Sequence, residues 1–202
     1  GFFIVKSGET VLRIQSVERV PITYGGKAGF MIANVLPAIA AGIASGFTID
    51  DIRVALLSFI PSPEMTPGRM NLFEFAHCQL MLDYAHNASG FDAIQSYMSN
   101  IEASAKICII GATGDRRDDD IRNLGKYAAS TFDEIIIRHD IDGRGRSNEE
   151  MTDLIMEGIL SVKQDPIVSV ISDEGEAIEY AVTNAPQEAF IFVCADHVKH
   201  SI

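Results

Sequence analysis

No apolar run in this sequence approaches the roughly 20 residues that span a bilayer, so a membrane-crossing helix is not expected. Positive charge is scarce: 16 Lys and Arg stand against 28 Asp and Glu, a net charge of −12. A surface of that sign repels nucleic acid and anionic lipid, and neither is expected as a partner. A small anionic ligand is not excluded, because it needs only a local positive pocket. Cysteine is limited to Cys78, Cys108 and Cys194, each in an apolar, strand-like run and none in a C-x-x-C pair. Buried free thiols in a reducing cytoplasm are expected, rather than disulfides or a metal centre. His197 and His200 have H-x-x-H spacing but no third ligand beside them, so no metal site is assigned. No secretory leader is visible. There is no G-x-x-x-x-G-K-[ST] phosphate loop, no G-x-S-x-G elbow and no G-x-G-x-x-G fingerprint.

What is present suffices for one large domain or two small ones: 202 residues, 47% of them hydrophobic. The chain starts at Gly1 and not at Met, which is expected of a piece of a longer protein. "FFIVKSGETVLRI" has two apolar runs around Ser7-Gly8, a hairpin signal. "MIANVLPAIAAGIASG" predicts a small-residue helix that ends at Gly46. In "TIDDIRVALLSFI", Thr48 and Asp51 form a capping box, and Ile52, Leu56 and Phe59 share one face. The stretch "PSPEMTPGR", residues 61–69, holds three prolines and a glycine, and a domain boundary is expected there, giving domains 1–62 and 63–202.

Beyond it the rhythm changes. "NLFEFAHCQLMLDYA" predicts two strands with a tight turn near Ala76-His77. Ser89 and Asp92 are expected to open a helix with Phe91, Ile94, Met98 and Ile101 inward. The strands "AKICIIG", "DEIIIR", "PIVSVIS" and "EAFIFVC" then alternate with helices that start at Asp118, Ser147 and Asp173. Such alternation means βαβ units and a mostly parallel sheet, here with an antiparallel edge hairpin. Ligands in such sheets sit beyond the carboxyl ends of the strands.

Three loops at that edge carry groups capable of chemistry. "DYAHN" places Asp83, His86 and Asn87 at a strand end: the acid suits a sugar diol and the imidazole a phosphate oxygen. The same residues also serve simply as turn caps. "GATGDRRDDD" brings Gly114, Asp115 and Arg116 before a helix start, where a guanidinium suits a carboxylate or phosphate. "RHDIDGRGRSNEE" adds Arg138, Arg144 and Arg146, or else is an ordinary charged crossover loop. Arg69, in "TPGRM", is either a ligand-reaching arginine at a hinge or a surface residue of a linker.

"PGR" followed by a strand and "LDYAHN" resembles the junction and C-terminal domain of the Mur ligases. Within that group, "GATGDRRDDDIRNLG" with "FDEIIIRHDIDGRGR" is most similar to the cyanophycin synthetases. "VPITYGGKAGFMIANVLPAIAA" is similar to the end of the family's central ATPase domain, where an asparagine, here Asn34, opens a helix. The resemblance covers nearly the whole chain. It implies an α/β, Rossmann-like Mur ligase C-terminal domain preceded by the end of the central domain. It implies an ATP- and Mg²⁺-dependent ligase that forms an amide through an acyl phosphate, with arginine and an aspartate polymer as substrates. Asn34 is then expected at the adenine, Arg69 and His86 at the phosphates, Asp83 and Asn87 with the nucleotide, and Gly114, Asp115, Arg116, Arg144 and Arg146 toward the amino acid or polymer. The alternatives are a Mur or folylpolyglutamate ligase with another substrate, or a non-catalytic polymer-binding or assembly domain; a homo-oligomer stays open. Two departures stand out: Ala88 replaces the family's usual proline after "DYAHN", and the phosphate loop and upstream metal ligands are missing. The chain alone is therefore expected to be inactive.

Overall fold

The computed structural model describes residues 1–85, 88–140 and 142–195. The chain forms two compact units, residues 1–61 and 62–202. The first begins with a hairpin, β1 (Phe2–Ser7) and β2 (Thr10–Ser16), paired antiparallel with a bulge between Phe3 and Ile4. Two 3₁₀ turns lead to α1 (Gly29–Ala44) and α2 (Ile49–Ser58). α1 ends as the sequence predicts. Gly46 adopts φ +86°, its N–H donates to Ile43 O, and Phe47 N–H donates to Gly42 O. This double closure satisfies the last carbonyls and needs the left-handed backbone that glycine adopts freely. The start of α1 differs from expectation. The helix opens at Gly29, so Asn34 lies inside it and is not its first residue. α2 carries the predicted capping box: Asp51 N–H donates to Thr48 Oγ1 and Thr48 N–H donates to Asp51 Oδ2. Phe3, Ile14, Val20, Val35, Ile39 and Ile52 form this unit's core.

The second unit is a six-stranded sheet in the order β3-β4-β8-β5-β6-β7. β3 (Asn71–Glu74) and β4 (Cys78–Asp83) are the antiparallel edge hairpin, and every other pairing is parallel. The parallel strands β5 (Lys106–Ile110), β6 (Glu134–Ile137), β7 (Ile167–Val170) and β8 (Ala189–Cys194) alternate with α3 (Ala88–Ser99), α4 (Asp118–Thr131), α5 (Asn148–Leu160) and α6 (Glu174–Asn184). β8 is buried at all six positions, as its unbroken apolar run requires for a central strand covered on both faces. Burying each Ile, Val or Phe there stabilises the fold by about 1.5–3 kcal/mol.

Handedness explains the layering. Crossovers β4-α3-β5, β5-α4-β6 and β6-α5-β7 all advance in one direction along the sheet, whereas β7-α6-β8 returns. Right-handed connections therefore put α3, α4 and α5 on one face and α6 on the other. The packing agrees: Ala177, Ala181 and Ala185 of α6 join Leu80, Leu82, Ile107 and Val193, while Phe91 of α3 stacks on Tyr127 of α4. One predicted cap shifts. α3 opens at Ala88, so Ser89 sits in its first turn and does not precede it. Ser147 and Asp173 cap α5 and α6 as expected.

Candidate active site at the carboxyl edge of the sheet

The carboxyl ends of β4, β8 and β5 enclose a narrow cleft of about 80 Å³, lined among others by Tyr84, Gly111, Thr113, Arg116, Arg144 and Cys194. A larger depression, about 650 Å³, lies at the opposite, amino edge around Phe75, His77 and Glu188. We place the site at the carboxyl edge, because there the strand ends leave backbone groups and charged loops facing a common space.

"TPGRMN" and "LDYA" meet at this edge. Tyr84 N–H donates to Gly68 O at 2.9 Å, and Met70 N–H donates to Asp83 Oδ2 at 2.9 Å. Asn71, buried at the start of β3, accepts from Gly68 N–H at 2.7 Å and donates to Thr66 O at 3.0 Å. Gly68 and Met70 both have positive φ, +67° and +51°. The turn is thus clamped to the end of β4 on both sides of Arg69. The Arg69 side chain is exposed and lies over the Tyr84 ring, 5.4 Å from its centroid. Among the described residues its guanidinium has no ion-pair partner. Asp83, by contrast, is buried at 8% exposure.

The two glycine-rich loops interlock. Arg146 Nε donates to Gly114 O at 2.9 Å and its NH2 to Arg116 O at 3.1 Å, while NH1 meets Asp118 at 2.8 Å and Glu150 at 3.0 Å. Arg146 therefore ties the start of α4 to the loop that follows β6. Arg144, at φ +43°, pairs with Asp115 at 3.0 Å. The approach is close: a Cβ at Gly114 would sit 2.1 Å from Gly143 O, so no larger residue fits there. Asp118 is held below its ordinary pKa by the hydrogen bond from Arg146, and Asp115 by hydrogen bonds from Thr113 and then Arg144. Arg116 is exposed, and among the described residues its guanidinium makes no hydrogen bond or close ion pair, though its charge acts on Asp120.

Arg138 follows β6 directly and is buried at 3% exposure. Its NH2 donates to Cys194 O at 3.0 Å, and its Nε lies 2.9 Å from Glu174 at the start of α6. Cys194 in turn donates from Sγ to Ala85 O at 2.8 Å, which links this buried cation to the "DYA" turn.

The structure thus brings Arg69 and Asp83 to one turn and Gly114, Asp115, Arg116, Arg144 and Arg146 to one pair of loops, all at the same sheet edge. Asn34 belongs to the first unit, where it is exposed beside an apolar groove of about 530 Å³ between α1 and α2. His86 and Asn87 lie outside the described residues. Sequence reasoning assigned no role to Tyr84, Asn71 or Glu174. The available signals were faint: a polar residue opening an apolar strand for Asn71, and an aromatic between two predicted site residues for Tyr84. The three cysteines are free and buried, as expected. No helix among the described residues is long and apolar enough to cross a membrane.

Comparison with known proteins agrees with this geometry. The Mur ligase, glutamate ligase domain family matches residues 68–197, and the chain belongs to that family. Its expected α/β, mostly parallel architecture with an antiparallel edge is the one observed. Cyanophycin synthetase of Crocosphaera subtropica is 40% identical over 202 residues, covering all of this chain and 23% of that protein. The cyanophycin synthetase of Nostoc sp. is 38% identical over the same length, 22% of its own. The chain spans less than a quarter of the length of these curated relatives. Among solved structures, E. coli FolC in complex with ADP, without folate substrate, superposes with a TM-score of 0.66 at 21% identity, covering 83% of this chain and 38% of FolC. That likeness is one of fold.

Proposed function

We propose that this chain is part of an ATP-dependent amide ligase of the cyanophycin-synthetase type. In this reading ATP passes its terminal phosphoryl group to a side-chain carboxylate of an aspartate polymer, and ADP leaves. The α-amine of arginine then attacks the acyl phosphate carbon. The C–O bond to phosphate breaks, the nitrogen gives up a proton, and an amide and inorganic phosphate remain. The observation that carries the reading is the clamped Arg69 turn, which presents a guanidinium unneutralised by any described carboxylate beside Asp83 at the carboxyl edge. A fixed cation of this kind offsets charge on a transferring phosphoryl group.

Arg69 serves the phosphates, with His86 near them; Asp83 and Asn87 serve the rest of the nucleotide. Asn34 serves the adenine, with residues 1–62 as the end of a central ATPase domain. Gly114, Asp115 and Arg116 face the incoming amino acid or polymer, and Arg144 and Arg146 shape that face. Two observations support the cyanophycin branch over other Mur ligases: the whole-chain identity to those synthetases and the interlocked "GDRRD" and "GRGR" loops. Mg²⁺ is expected to accompany ATP. Among the described residues no three carboxylates, imidazoles or thiols gather to hold a metal, so these residues do not fit a metal site and no step is assigned to one here. The reaction belongs in the cytoplasm, where ATP and free amino acids are supplied.

The deciding experiment is Arg69→Ala in the full-length protein, assayed with arginine and poly-aspartate against muramyl precursors. A loss of roughly 10²-fold in kcat, with arginine as the accepted amine, is expected. Undiminished turnover, or turnover only with muramyl substrates, overturns the reading. The isolated chain, which has no phosphate loop, should bind ATP only weakly by calorimetry; tight binding would place the main phosphate cradle here instead.

A further inference from the structure

Among the arginines at the carboxyl edge, Arg69 is restrained in a different way from Arg144 and Arg146. Those two are fixed by carboxylates: Arg144 by Asp115, and Arg146 by Asp118 and Glu150. Each carboxylate that fixes an arginine also cancels its charge and uses its N–H donors. Arg69 is fixed by a ring. The Tyr84 centroid lies 5.4 Å from its guanidinium carbon, within the range of a cation–π contact. A ring face restrains the guanidinium plane while leaving its charge intact and its donor edge open.

The backbone supports the same geometry. Arg69 N–H donates to Thr66 O at 3.0 Å, and the flanking Gly68 and Met70 are bound to Tyr84 N–H and Asp83 Oδ2. Residue 69 and residue 84 are therefore held in fixed register. Tyr84 also lines the carboxyl-edge cleft.

We infer that Tyr84 is a positioning residue, whose ring holds the Arg69 guanidinium charged and ready for an anionic ligand of the phosphate class. The inference rests on the proposed role of Arg69. An exposed arginine with no partner samples many rotamers, and binding then has to restrict them. Prior stacking removes much of that cost before the ligand arrives. Acting through Arg69, Tyr84 affects the reaction only while the guanidinium is present.

The test is a double-mutant cycle in the full-length protein, read as kcat/KM for ATP. Tyr84→Leu, which keeps bulk but loses the ring, should lower it about fivefold, the equivalent of an exposed cation–π contact. Tyr84→Phe, which keeps the ring, should restore most of the activity. In an Arg69→Ala background, Tyr84→Leu should have no further effect. Thermal unfolding of each variant checks that the fold is kept. A Tyr84→Leu enzyme as active as the parent, or one whose loss simply multiplies that of Arg69→Ala, overturns the inference and leaves the role of Arg69 standing. An Arg69→Ala enzyme with normal kcat/KM for ATP overturns both.

Discussion

Arg138 and Glu174 face each other at 2.9 Å at the carboxyl edge, joining the end of β6 to the first turn of α6, the helix of the return crossover. With Cys194 O as a second partner, the buried guanidinium holds β6, β8 and α6 in one arrangement. Arg138→Met should destabilise the second unit by about 3 kcal/mol, because it removes a buried cation that faces the Glu174 carboxylate and the Cys194 carbonyl. Urea unfolding measures this directly. A variant within experimental error of the parent would mean that Glu174 is adequately solvated and the pair structurally neutral.

Gly158 tests the contact between α4 and α5. Alanine normally favours a helix over glycine by about 1 kcal/mol. Here an added Cβ would fall 2.0 Å from Arg122 O, so the two helices would have to separate. Overpacking should win, and Gly158→Ala should lower stability by about 2 kcal/mol. A stabilised Gly158→Ala in the same urea titration would show that the helices part without loss.

The interlocked loops should be sensitive to acid. Asp118 and Asp115 are both held below the ordinary aspartate value of 3.8. A depressed carboxyl contributes stability that is present above its unfolded value and is lost as pH falls through the lower folded one. The bracing by Arg146 and Arg144 should therefore be intact at pH 5 and weaken progressively below about pH 4. Hydrogen exchange at the loop amides, corrected for the intrinsic pH dependence, reports it. Equal protection at pH 5 and pH 3 would show that the backbone bonds to Gly114 and Arg116 suffice alone.

Asn71→Ala should uncouple the arginine turn from the sheet. It removes the acceptor for Gly68 N–H and the donor to Thr66 O at a site only 1% exposed. Leaving the Gly68 donor unsatisfied should cost about 2 kcal/mol. In the full-length protein it should also raise KM for ATP, since Arg69 lies within the released turn. Lost stability with unchanged ATP kinetics would separate the turn's structural part from any part in binding.

Several local features follow from short-range chemistry and were legible without the fold. The strands from β3 to β8, the capping box of Thr48 and Asp51, the caps at Ser147 and Asp173 and the C-terminal closure at Gly46 all depend on residues within about one helical turn or strand. The openings of α1 and α3 were less legible. Gly29 carries no capping signal, and Ala88 begins α3 one residue before Ser89, the expected cap.

The sequence by itself determined the βαβ rhythm and the carboxyl-edge loops, because apolar periodicity and caps are local. The "PGR" and "DYAHN" motifs carried the family resemblance in the same way. Only the tertiary structure decided that β8, last in the chain, inserts between β4 and β5, since strand order is set by packing and crossover handedness across the whole sheet. The same holds for the arginines. From sequence Arg69, Arg116, Arg138, Arg144 and Arg146 were all expected to add positive charge for an anion. Folding brings Asp115, Asp118, Glu150 and Glu174 to Arg144, Arg146 and Arg138, brings an aromatic ring to Arg69 and leaves Arg116 exposed, because partners up to 36 positions apart meet only once the sheet edge has formed.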